Sequence, residues 1–121
     1  MTESSAQTRW KQWRNSPHTD AQTKAALAAI ADQPKEIEER FSQTLHFGTA
    51  GLRGIMDVGT ARMNEYTVMQ ATQGLASYIL SLPGAQALAD RGVVIAYDSR
   101  LGSERFSRCT AEVLAAAGIR V

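Results

Sequence analysis

Phe47-Gly48-Thr49-Ala50-Gly51-Leu52-Arg53-Gly54 gathers the groups in this chain best suited to hold an anion. Glycines at 48, 51 and 54 let the backbone turn sharply and approach a ligand closely. Such backbone presents N–H donors, Thr49 adds a hydroxyl, and Arg53 adds a planar fork that matches the oxygens of a phosphate. The chemistry this suits is recognition of a doubly charged phosphate on a small molecule. The spacing is G-x-x-G-x-x-G, whereas the dinucleotide fingerprint is G-x-G-x-x-G running into a helix. Ile55-Met56-Asp57-Val58-Gly59 follows instead, and the Gly-Lys-Ser/Thr of a P-loop is absent. A tight hairpin turn with no ligand accounts for the same glycines, so both readings stand on the residues alone.

A second candidate is Asp98-Ser99-Arg100, expected at the carboxyl end of a parallel strand, where open α/β sheets bind ligands. Arg100 could reach a phosphate there; equally, Asp98 and Arg100 could fix the turn, since Asp and Ser are ordinary turn formers. Ser99 lacks both a nearby histidine base and the G-x-S-x-G elbow of a nucleophile. His18, His46 and Cys109 have no ligand spacing to one another, which speaks against a metal site. Cys109 falls on the apolar face of a helix and reads as a core residue, and Trp10 and Trp13 read as helix packing.

These groups need elements to position them. Trp10 and Trp13 share a helix face in a segment that stops near Asn15-Ser16-Pro17. Asp20 can cap a second helix over residues 21–31, and Pro34 can open a third with Ile37 and Phe41 on one side. Lys35, Glu36, Glu38, Glu39 and Arg40 read as that helix's solvated face. Residues 45–56 lose helical spacing and read as an extended segment interrupted by a turn, followed by a loop over 57–63. Asn64 can cap a helix with Val68, Thr72, Leu75, Ile79 and Leu82 on its buried face, ended by Pro83-Gly84. Gly92–Tyr97 is a β-branched apolar run that suggests a strand covered on both faces. A helix capped by Ser103 and stopped by Gly118 follows, and Ile119-Arg120-Val121 looks like the start of another strand. Strand, helix, strand is a βαβ unit, so the expected class is α/β. A domain ending on its second parallel strand would leave an open sheet edge, so the domain is expected to be truncated at its C-terminus.

Length and composition bound the rest. A chain of 121 residues is one domain or a piece of one. Its 13 basic and 12 acidic residues are interspersed, with no basic stripe to indicate nucleic acid. A lone cysteine fits a reducing compartment. The polar start Met1-Thr2-Glu3-Ser4-Ser5-Ala6-Gln7 is not a signal peptide, and no apolar run approaches the ~18 residues of a membrane span. A soluble, cytoplasmic protein with no membrane partner is the expectation.

With those residues in view, the chain resembles the phosphoglucomutase/phosphomannomutase superfamily, the α-D-phosphohexomutases. Phe47–Gly54 looks like that family's N-terminal signature. Arg62-Met63-Asn64, Gln70-Ala71-Thr72-Gln73-Gly74-Leu75 and Val94-Ile95-Ala96-Tyr97-Asp98-Ser99-Arg100 match further motifs, in the family's order and spacing. The likeness runs over residues 8–121 and is greatest to the branch of bacterial phosphoglucomutases and phosphopentomutase-like enzymes.

The resemblance implies a helical N-terminal extension over 1–43 and an incomplete α/β/α domain I, with three layers and a mixed sheet, over 44–121. It implies an enzyme that interconverts glucose 1-phosphate and glucose 6-phosphate through a phosphoserine and a bisphosphorylated sugar. Mg²⁺ at the serine, a sugar bisphosphate activator and a phosphosugar substrate come with it. Carried over residue by residue, Arg53 matches the family's active-site arginine, Thr49 a residue of the same loop, and Arg100 an arginine at the cleft edge. The family's serine sits in a Thr-Ala-Ser-His-Asn-Pro loop, a string this sequence does not contain. No catalytic or metal-binding residue is therefore assigned here, and the chain alone is expected to be inactive. A phosphomannomutase or phosphopentomutase fragment, a free-standing phosphate- or nucleotide-binding module and a non-catalytic interaction domain are the alternatives.

Overall fold

The structure, a computed structural model, describes residues 2–121 and divides into two compact units, one running to Asn64 and the other Glu65–Val121.

In the first unit three helices precede a small hairpin: α1 (Ser5–Asn15), α2 (Ala21–Ala29), α3 (Pro34–Phe41), β1 (Phe47–Gly48) and β2 (Gly51–Leu52). The helix starts are set locally. Ser4 and Gln7 form a capping box ahead of α1, which the sequence reading missed. Asp20 caps α2 by accepting the Thr23 amide at 3.1 Å, and Pro34 opens α3, both as expected. α2 ends two residues short of the expected Ala31, because the Ile30 and Ala31 amides turn to Leu27 and Ala28, three residues back. Ala6, Trp10, Leu27, Ile37 and Phe41 form the buried core, with Trp13, Ile30 and Val58 against it. The tryptophans do pack helices: Trp10 Nε1 donates to the Leu27 carbonyl at 3.0 Å, and Trp13 meets Phe41 edge to face at 5.5 Å. Arg9 donates to the carbonyls of Phe41 (2.7 Å) and Ser42 (3.0 Å), closing the end of α3.

The second unit holds α4 (Glu65–Ser81), α5 (Ala85–Arg91) and α6 (Ser103–Ala116) around Ala76, Ala89, Leu114 and Ile119. The buried line of α4 is Thr72–Ala76–Ile79; Leu75, expected on it, is 43% exposed. Thr72 donates its hydroxyl to the Val68 carbonyl at 2.8 Å and lies 3.3 Å from the Thr110 hydroxyl, satisfying a buried polar group between α4 and α6. Arg105 on α6 is paired with Glu65 at the start of α4. Gly102, not Ser103, is the N-cap of α6; Ser103 is already helical and turns its hydroxyl to Asp98.

The class is helix-rich with a small antiparallel sheet, and an α/β domain is consistent with it. Among the described residues, the strands expected over 92–97 and from Ile119 are not formed. The Val93 amide meets the Arg120 carbonyl at 2.8 Å and the Arg120 amide turns to Ala89 instead, so no ladder propagates. Val94, expected to be covered on both faces, is 95% exposed. Among the described residues no helix is long and apolar enough to cross a membrane.

Candidate functional site

The glycine-rich string folds as a hairpin with Thr49 and Ala50 at its tip. Phe47 pairs with Leu52 and Gly48 with Gly51. Gly51 supplies the positive φ (107°) that lets the chain reverse in two residues. Residues 46–50 and Arg53 are exposed, and the Arg53 guanidinium makes no hydrogen bond or ion pair among the described residues. The hairpin thus presents a hydroxyl, backbone amides and a solvated guanidinium to the outside, a set able to bind phosphate.

Both feet of the hairpin are tied to the loop over 57–63. The Leu45 amide donates to the Thr60 carbonyl at 2.8 Å, and the Thr60 hydroxyl to the Gln43 carbonyl at 2.7 Å. On the other side the Met63 amide donates to the Ile55 carbonyl at 2.7 Å, and the Asp57 amide to the Met63 carbonyl at 3.1 Å. Asn64 Nδ2 donates to the carbonyls of Asp57 and Gly59, each at 2.9 Å, which draws the loop closed.

Arg40 holds that loop onto α3, correcting the expectation that its side chain is solvated, while Lys35, Glu38 and Glu39 are exposed as expected. Its Nη1 lies 2.8 Å from Asp57 Oδ1 and 3.2 Å from the Val58 carbonyl, while Nε meets Glu36 Oε2 at 3.0 Å. The hydrogen bond from Arg40, helped by the Val58 amide, keeps the Asp57 carboxyl below the usual carboxylate range. Arg40, Asp57 and Gly59 were not singled out from sequence; a Glu36/Arg40 pair four apart on a helix looks like an ordinary surface pair.

Arg100 lies in the second unit and the hairpin in the first. Asp98 Oδ1 accepts the Arg100 amide at 3.0 Å and the Ser103 hydroxyl at 2.8 Å, while Oδ2 meets Arg100 Nε at 2.8 Å. The backbone amide of Arg100, then the Ser103 hydroxyl, hold the Asp98 carboxyl low. Asp98 therefore fixes the turn, and the exposed Arg100 still makes no hydrogen bond through its Nη groups among the described residues. A shallow cleft of about 320 Å³ opens beside it, lined by Tyr97, Asp98, Arg100, Ser103, Phe106 and Thr110.

Cys109 is buried, and burial first, then Glu65 and Glu112, push its thiol up, away from a reactive thiolate. No group of three or more His, Cys, Asp or Glu among the described residues could hold a metal ion. The Mg²⁺ implied by the resemblance has no ligand set in them, and no step here runs through it.

Residues 44–121 match the family model for phosphoglucomutase/phosphomannomutase, alpha/beta/alpha domain I. The chain is 35% identical over 118 residues to a phosphopentomutase of Mus musculus, covering 93% of this chain and 18% of that protein. It is 41% identical over 87 residues to a phosphoribomutase of Saccharomyces cerevisiae, covering 71% and 13%. A phosphoglucomutase of Staphylococcus epidermidis is 39% identical over 87 residues, covering 72% and 15%. The chain thus spans less than a fifth of the length of these relatives. No solved structure matches it.

Proposed function

This chain belongs to the phosphoglucomutase/phosphomannomutase family, and on that premise we propose that it supplies the first phosphate-binding elements of a phosphosugar mutase. Residues 44–121 belong to domain I, a three-layer α/β/α domain with a mixed sheet, and residues 1–43 are a helical extension ahead of it. The reaction of the whole enzyme is transfer of a phosphoryl group between the 1-position and a terminal hydroxyl of a sugar. Glucose 1-phosphate and glucose 6-phosphate are the substrates favoured here; phosphopentoses are the alternative, supported by the phosphopentomutase and phosphoribomutase relatives. Mg²⁺ and a sugar bisphosphate belong to that whole enzyme, in the cytoplasm.

The observation that carries this reading is the exposed hairpin. Arg53 stands beside backbone that can approach a ligand, with no internal partner among the described residues. Its fork binds two oxygens of a phosphate dianion, Thr49 donates its hydroxyl, and the hairpin amides complete the cradle. As charge shifts over the phosphoryl oxygens in transfer, these donors keep it compensated. Arg100 is a further contact to the same class of ligand, through its Nη groups.

Calorimetric titration of the purified chain with glucose 1-phosphate, ribose 5-phosphate and adenosine monophosphate tests this. Binding of the sugar phosphates over the nucleotide is expected. Equal or stronger binding of the nucleotide would favour a nucleotide-binding module, and no binding of any would leave the hairpin a plain turn.

A further inference from the structure

The phosphate-binding hairpin has little to hold it in place by itself. It has two residues in each strand, its residues 46–50 are exposed, and Phe47 is 68% exposed. A short two-stranded hairpin is marginal in water without a partner surface. What orients it must act through its feet, Leu45 and Ile55, and both are hydrogen-bonded to the loop over 57–63.

One residue ahead of the family-matched segment clamps that loop onto α3. Arg40 precedes residue 44, where the domain I match begins. Its guanidinium reaches Asp57 and Val58 at the start of the loop. Its main-chain carbonyl accepts the Ala61 amide at 3.0 Å further along. Between those points, Gly59 passes so near that a β-carbon would stand 2.5 Å from the same carbonyl oxygen. Arg40 Nε, on Glu36, braces the guanidinium along α3. A lysine at 40 could not span these acceptors at once.

The geometry points to Arg40 as a positioning residue: through the loop over 57–63 it sets where the hairpin presents Thr49 and Arg53. The helical extension thereby becomes part of the site's construction. This rests on the reading of the hairpin as a phosphate site.

The test uses the whole chain, with Arg40→Gln, Asp57→Asn and Ile37→Val compared at a temperature well below every Tm. Ile37 is a core residue of α3 outside the hydrogen bonds of the clamp, so its trimming lowers Tm without removing any of them. Two quantities are read: amide exchange and backbone order at Leu45, Gly48, Gly51, Arg53 and Met63, and Kd for glucose 1-phosphate. Arg40→Gln is expected to loosen the hairpin and weaken binding roughly tenfold, as loss of well-placed charge-assisted contacts does. Asp57→Asn shifts both in the same direction by less, and Ile37→Val shifts neither. If Arg40→Gln does not fold, Asp57→Asn, at a half-exposed position, decides the matter. Unchanged hairpin order and Kd in the clamp variants, or equal weakening in Ile37→Val, would overturn the inference. Loosening of the hairpin in a chain that never binds glucose 1-phosphate would uphold the positioning and overturn only the phosphate reading.

Discussion

Gly59 passes so close to Arg40 that a β-carbon at residue 59 would stand 2.5 Å from the Arg40 carbonyl oxygen, with the backbone at φ 132°. No side chain fits there without moving α3 or the loop. Gly59→Ala is therefore expected to destabilise the first unit by about 2 kcal/mol or more, against the usual benefit of replacing glycine. Gly74→Ala makes the contrast. Gly74 lies within α4, a β-carbon there meets nothing within 4 Å, and a gain of ~0.5–1 kcal/mol is expected. Urea unfolding of both variants beside the wild type checks the opposite signs.

The Asp57–Arg40 pair carries a pH signature. The hydrogen bond from Arg40 holds the Asp57 carboxyl of the folded chain below the usual carboxylate range. A depressed carboxylate contributes stability above its unfolded pKa and loses it as pH falls through the folded one. With Asp57 half exposed, the contribution is of order 1 kcal/mol or less. Asp57→Asn should thus lower Tm at pH 7, and the gap to wild type should close as pH falls below about 4. A gap that stays constant down to pH 2.5 would contradict the ion pair.

Cys109 should behave as a buried thiol. Burial and two nearby carboxylates disfavour its thiolate, so a thiol reagent at pH 8 should react slowly with the folded chain and quickly in urea. Equal rates in both conditions would show that the second unit does not hold its core closed.

What was legible in the sequence is what is decided locally. Asp20 marks a helix start through its side-chain carboxylate, Pro34 and Gly118 mark helix ends through their backbone conformations, and the glycines of 48–54 mark a turn. Ile37 and Phe41 were legible as core because four-residue spacing puts them on one face. What depended on partners distant in sequence was not legible. Gly92–Tyr97 has the residues of a buried strand, but a strand needs a neighbouring ladder, and one hydrogen bond to Arg120 does not make one. Leu75 lies beside the stripe that α6 covers, an offset that helical spacing alone does not resolve. α5 is only seven residues between Gly84 and Gly92 and has no periodicity to read. Arg40 was hidden because its partners Asp57 and Val58 lie 17 and 18 residues on.

The central claim is that the hairpin grips a sugar phosphate through the Arg53 fork, and Arg53→Lys tests it most directly. Lysine keeps the charge and loses bidentate contact, which is worth ~1.5–3 kcal/mol for a charge-assisted hydrogen bond. The measurement is Kd for glucose 1-phosphate beside the thermal melt of each protein. A roughly ten- to hundredfold weaker Kd with Tm unchanged is the predicted result. An unchanged Kd, or a Tm that falls while binding persists, would contradict the account and make Arg53 a structural residue of the turn.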